Sequence, residues 1–194
     1  MKLPKLGVAQ PPRLYGGIMI DAPWGKESGG GKVKRGADRH YKLIKKKEDI
    51  RDVILQSGVW RQAENSHLYM WATNTTLEDA LWISAELGFR YKTNFPWVKP
   101  TKPGIGQYAR GKHELLLFCV RGRGYAAKTE RRDIATDFLV GAPAPTIDGK
   151  QIHSAKPERA YELMRQRTVG PYLSIFERFQ REGFDVWGDE APKA

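Results

Sequence analysis

Tyr15-Gly-Gly-Ile-Met-Ile20 runs straight into Asp21-Ala22-Pro23-Trp24. A short apolar run that stops at an acid and a proline-containing turn reads as a strand with a rigid exit. Downstream, residues 48–57 place Ile50, Val53 and Ile54 at helical spacing. His67-Leu-Tyr-Met-Trp-Ala-Thr73 reads as a buried strand, and Asn74-Thr75-Thr76 offers a helix N-cap near capping-box spacing to Glu78. Leu77, Leu81, Ile83 and Leu87 carry that helix to a stop at Gly88. Further strands are expected at 90–98, 114–120, 172–176 and 184–187. A helix is expected at 157–168, with Pro157 in its first turn and Glu158 complementing the dipole. Strands alternating with helices predict a single α/β domain of three layers, α-β-α, with a mostly parallel sheet. Ligands in such sheets sit beyond the carboxyl ends of the strands, where Asp21 is expected.

Composition narrows the function. A chain of 194 residues can bury a core without disulfides, and its one cysteine, Cys119, excludes a disulfide framework or a multi-cysteine zinc site. Cys119 is read as a core thiol, His67 has no partner at ligand spacing, and no metal is expected. No apolar run reaches the ~18–20 residues of a membrane span and the start lacks a signal h-region, so the reading is a soluble, cytoplasmic protein with no membrane role. Thirty-three Lys and Arg against 22 Asp and Glu give a net charge of +11. That balance favours a polyanionic partner, most often nucleic acid.

Residues 1–14 read as an arm, 15–190 as the domain and 191–194 as a tail. Residues 25–47 hold five glycines and nine Lys or Arg, a basic loop too polar to pack. A second basic loop spans 99–112. Neither carries a nucleotide fingerprint. Val33 stands where a phosphate loop needs Ser or Thr after Lys32, and Gly104-Ile-Gly106-Gln-Tyr-Ala109 follows prolines rather than a strand.

The turn at 21–24 has chemistry to match its place. The Asp21 carboxylate and the Ala22 carbonyl can each accept an N–H from an exocyclic amine, while Trp24 can stack on the ring that bears it. An adenine amine held this way is drawn towards a tetrahedral, nucleophilic nitrogen. A strand-end turn with a core tryptophan is the plainer alternative.

Asp21-Ala22-Pro23-Trp24 resembles the D-P-P-W signature of the MT-A70 family of adenine-N6 methyltransferases, and further segments agree in order. Arg39-His40-Tyr41 with the following EDIRDV is similar to the family's H-Y-x-x-M-x-x-x-E-I loop. Tyr69-Met-Trp-Ala-Thr73 resembles L-x-L-W-x-T, and residues 106–122 resemble R-x-x-x-E-x-x-L-x-x-x-x-G. His153-Ser-Ala-Lys156-Pro157 resembles H-S-x-K-P, residues 174–178 (SIFER) resemble E-L-F-A-R, and residues 183–190 resemble G-W-x-x-W-G-N-E. Ala22 replaces the first proline, Ser174 replaces a glutamate, and Asp189 stands where the family often has asparagine.

The resemblance implies a Rossmann-like fold and transfer of a methyl group from S-adenosylmethionine (SAM) to the adenine amine. It implies that Asp21, Ala22, Pro23 and Trp24 form the catalytic turn and that His40 and Tyr41 close the pocket. Lys156 would meet the methionine carboxylate of SAM, with His153 beside it in the same element. Arg178, Asp189 and Glu190 would surround the adenosine half, and Asp21 belongs with the cofactor set as well as the catalytic one. Lys32, Lys34, Arg35, Lys102 and Arg110 are expected to grip phosphates. The substrate is expected to be DNA ahead of RNA, because the compact chain shows no RNA-binding segment. Sequence specificity then comes from the loops, from a second copy or partner subunit, or is slight. An inactive family member serving as a nucleic-acid-binding subunit, or a plain basic DNA- or RNA-binding protein, is the rival reading.

Overall fold

The computed structural model describes residues 13–25, 43–103, 108–123, 134–152 and 155–189. Six strands form one sheet in the order β3-β4-β2-β1-β7-β8. They are β1 (Tyr15–Ile20), β2 (Gln62–Ala72), β3 (Arg90–Val98), β4 (His113–Arg121), β7 (Tyr172–Ile175) and β8 (Phe184–Trp187). Helices α1 (Lys47–Gln56), α2 (Leu77–Glu86) and α3 (Glu158–Arg167) cover it, and the chain is an α/β domain of the expected Rossmann-like class.

β1 is buried throughout, and β2 and β4 over most of their length, because both faces of the sheet are covered there. Ile18, Ile20, Leu68, Met70, Ala72, Leu117 and Leu173 face one way, into a core shared with Ile50 and Ile54 of α1 and Ala80 and Ile83 of α2. Met19, Tyr69, Trp71, Leu116 and Phe118 face the other way, against Ala160, Tyr161, Leu163 and Met164 of α3. Neighbouring residues of one strand thus belong to different cores, which is the period-2 geometry of a strand between two helical layers. β1 lies close against its neighbour. A Cβ on Gly16 would stand 2.1 Å from the carbonyl oxygen of Val169, so only glycine lets these backbones approach.

The parallel character is confined to one side. β1 pairs in parallel with β2 and β7, and β7 with β8, whereas β4 runs antiparallel to both β2 and β3. Gly88 does end α2, at φ 84°, with the Phe89 N–H reaching the Ser84 carbonyl and the Gly88 N–H that of Ala85. The N-terminus of α2 differs from expectation. Thr76 is the N-cap residue, but its hydroxyl accepts the Thr73 N–H at 2.9 Å rather than a helical donor. It fastens the strand-to-helix turn instead of capping the helix.

Pro157 occupies the N-cap of α3, one position before its first turn. A 3-10 helix, Thr136–Leu139, and a two-stranded hairpin of β5 (Thr146–Ile147) and β6 (Lys150–Gln151) were not foreseen. Both are too short to show a period in sequence. Among the described residues no helix is long and apolar enough to cross a membrane.

Candidate active site

Strand direction gathers the site on one edge of the sheet. β1, β2, β7 and β8 all end there, so Asp21, Thr73, Phe176 and Gly188 follow at that edge. Because β4 and β3 are antiparallel, the start of β4 and the end of β3 lie there too, with Val98 paired to His113. The loop of 99–112 therefore hangs from the edge that carries Asp21. The chain leaves β1 towards β2 on one side and reaches β7 and β8 on the other, so the order reverses between β1 and β7. That reversal opens a crevice at the strand ends, the place where α/β sheets take ligands.

The turn after β1 is held rigidly over this crevice. The Asp21 N–H donates to the Ile175 carbonyl at 3.3 Å, tying the turn to the end of β7. Ile44 clamps the other side: its N–H donates to the Pro23 carbonyl, and its carbonyl accepts the Gly25 N–H, each at 2.9 Å. The Ala22 carbonyl already accepts the Trp24 N–H at 2.9 Å and keeps one lone pair for a second donor.

Asp21 does not stand alone. Lys156, 8% exposed in its side chain, places Nζ 2.9 Å from Asp21 Oδ1 and 3.2 Å from Glu114 Oε2. Glu114 Oε1 in turn pairs with Lys99 at 2.5 Å. The result is a chain of alternating charge, Asp21, Lys156, Glu114, Lys99, running from the crevice to the root of the 99–112 loop. Two tryptophans floor it: Lys156 lies over the Trp71 ring at 5.5 Å and Lys99 over Trp97 at 5.0 Å, and the rings meet edge to face at 5.9 Å. Trp97 is fixed by donating Nε1–H to the Ala142 carbonyl at 2.8 Å.

The two acids of this chain are tuned apart. Protein atoms crowd the Asp21 carboxylate, and desolvation pushes it up to about 6 despite the pull of Lys156, with Glu114 adding to the rise. Still, 28% of its side chain reaches solvent, so a ligand can meet it. Burial also works against the Glu114 carboxylate, but Lys156 and Lys99 together outweigh it and hold Glu114 below the usual range. Glu114 is thus the fixed anion, and Asp21 is the acid poised to titrate near neutrality. A reaction that needs Asp21 ionised should lose rate as pH falls below about 6, close to tenfold per unit, and level off above it. A pH profile of single-turnover rate checks this; a flat profile from pH 5 to 8 would remove Asp21 from the rate-determining chemistry.

Of the residues singled out in sequence, Asp21 and Lys156 are brought into direct contact. Arg178 and Asp189 follow β7 and β8 on the same edge, Arg178 half-buried and Asp189 exposed. Lys102 and Arg110 are exposed in the segment between β3 and β4, which leaves the same sheet edge, with Arg110 donating to the Pro103 carbonyl at 3.2 Å. His40, Tyr41, Lys32, Lys34, Arg35, His153 and Glu190 lie outside the described residues.

Trp24 corrects the stacking expectation. It is 6% exposed and packed into the apolar core, so its ring anchors the turn from below and has no open face for a base. Cys119 and His67 are core residues, as read, with His67 hydrogen-bonded to the Thr168 hydroxyl at 2.8 Å.

The sequence assigns no role to Glu114 or Glu177, and Lys99 counts there only among the cations of the 99–112 loop. Both acids belong to segments that resemble the family, 106–122 and 174–178, but only the antiparallel return of β4 brings Glu114 to Lys156.

The residues present suit a zwitterionic, hydroxyl-bearing cofactor. A buried lysine in a crevice offers a point charge for a carboxylate, and Asp189 offers an acceptor for ammonium or ribose hydroxyls, which leaves Asp21 to the reacting group. The family model for MT-A70 matches residues 15–190, most of the chain. The chain belongs to the MT-A70 family. A search of curated proteins returns no relative of significant similarity. MT-A70 proteins are in general SAM-dependent methyltransferases directed at adenine N6, and the turn of this MT-A70 chain that resembles the family signature follows β1 at the strand-end crevice.

Proposed function

We propose that this MT-A70 chain transfers the methyl group of SAM to the N6 amine of adenine in nucleic acid, DNA ahead of RNA. The observation that carries the reading is the Asp21 carboxylate, partly open to solvent at the β1/β7 crevice and ion-paired to the buried Lys156. Lys156, Arg178 and Asp189 would hold SAM, which when bound supplies a methyl group on a sulfonium centre. The chain's own contribution is orientation and electrostatics. Asp21 accepts one amine N–H and the free lone pair of the Ala22 carbonyl accepts the other, which localises the nitrogen lone pair for attack. After transfer the product amine must lose a proton, and a carboxylate titrating near 6 can take it and pass it to water.

The basic rim supports a polyanionic substrate. Lys102, Arg110 and Lys112 are exposed in the loop rooted on the same sheet edge as the crevice, and the chain's net charge is +11. Phosphate contacts there would offset the few kcal/mol needed to take a base out of its stack. Replacing Lys102, Arg110 and Lys112 together by glutamine should flatten the log–log salt dependence of nucleic-acid binding by roughly two to three units, with SAM affinity unchanged. An unaltered slope would mean that the strand runs elsewhere.

The direct test of the function is mass spectrometry of nucleosides after incubating protein and SAM with DNA or RNA. N6-methyladenosine, or its deoxy form, is the expected product. SAM binding without product would favour an inactive binding subunit, and no SAM binding would favour a plain nucleic-acid-binding protein.

A further inference from the structure

We propose that Glu177 is the positioning residue of the cofactor crevice, taking over in space the carboxylate that position 174 lacks; this rests on the methyltransferase reading above. Ser174 stands where the resemblance puts a glutamate, and it is buried in β7. Its hydroxyl donates to Glu177 Oε2 at 3.1 Å, so the volume a longer acid at 174 would fill holds the Glu177 carboxylate. Glu177 is itself 7% exposed. The Tyr161 hydroxyl also donates to Oε2, from α3, and Arg181 Nε lies 3.6 Å away. Oε1 accepts the backbone N–H groups of Arg178 and Phe179 at 3.0 and 3.2 Å.

Those two donors belong to the turn that leaves β7, and the turn is strained. Phe176 sits at φ 62°, left-handed backbone that a bulky residue adopts only when its surroundings impose it. The turn is also pressed from β8. A Cβ on Gly188 would stand 2.9 Å from the Glu177 carbonyl oxygen, and the Glu177 N–H donates to the Trp187 carbonyl at 3.2 Å. Glu177 therefore spends its acceptors on holding the turn rather than on a ligand. The turn it holds carries Arg178 at the edge of the crevice, one strand over from Asp21.

Three variants test this: Glu177→Ala, Glu177→Gln, and Ser174→Glu combined with Glu177→Ala, which returns the carboxylate by the other route. Titration calorimetry should show SAM binding at least tenfold weaker in Glu177→Ala, with kcat at saturating SAM within about threefold of wild type. The double variant should recover most of the lost affinity. Without any cofactor, amide exchange at Arg178 and Phe179 should quicken at least tenfold in Glu177→Ala and Glu177→Gln and slow again in the double variant. Glu177→Gln serves if Glu177→Ala does not fold. Wild-type SAM affinity and exchange in either folded single variant would overturn the proposal, as would a folded double variant no better than Glu177→Ala. A wild-type protein that binds no SAM would instead refute the methyltransferase reading, while the exchange data would still decide whether Glu177 holds the turn.

Discussion

Asp21→Asn is expected to cut the rate of methyl transfer by about 10²–10³ while leaving SAM affinity nearly unchanged. The amide keeps the shape of the side chain, but it loses the charge and can set an N–H against the substrate amine. Folding should survive the change, because Lys156 keeps Glu114 as its partner at 3.2 Å. The sign of the stability effect follows from the pKa. A carboxyl raised to about 6 in the folded protein, from 3.8 in the unfolded chain, opposes folding when ionised, and this penalty fades as pH falls from 6 towards 4. Asp21→Asn should therefore melt no lower than wild type at pH 8 and lose that parity in mild acid. More than a tenth of wild-type activity in the variant would show that Asp21 is not the catalytic acceptor.

Lys156→Met should act on the other partner of the pair. Methionine preserves packing over Trp71 but removes the charge that would meet the cofactor carboxylate. Losing one charge-assisted pair costs on the order of 1–3 kcal/mol, or roughly five- to 150-fold in SAM dissociation constant. A second consequence follows from the geometry. Without the cation between them, Asp21 and Glu114 face each other as like charges, so the Asp21 carboxylate rises further. The acid limb of the pH–rate profile should then move to higher pH than in wild type. Weaker SAM binding with an unmoved limb would separate the lysine from Asp21, and unchanged affinity would remove it from the cofactor site.

The two variants together distinguish the roles that one ion pair confuses. Asp21→Asn should separate rate from affinity, and Lys156→Met should couple affinity to pH dependence. Glu114 enters as the reason the pair is ordered at all. Held anionic by Lys156 and Lys99, it keeps the lysine charged in a buried place where a lone cation would be costly.

Local chemistry alone settled a good part of this protein. The unbroken apolar runs at 15–20 and 67–72 became central strands because such runs are stable only between two covering layers. Ile50 and Ile54 fell on the buried face of α1 by helical period, and Gly88 ended α2 because it could take a left-handed backbone. Asp21 was legible as a strand-end acid because Pro23, two residues on, has no N–H to give to the ladder of a central strand.

Tertiary structure decided the rest. Whether Trp24 stacks or anchors depends on what packs around it, and here the core around the turn closes over its ring. The direction of β3 and β4 depends on competition between sheet edges, which leaves no trace in either strand's own pattern. That direction brings Glu114 and Lys99 to the crevice, and α3's start brings Lys156 to Asp21. Spacing along a chain encodes period and turn chemistry, whereas the partner of a buried charge is chosen by long-range closure of the fold.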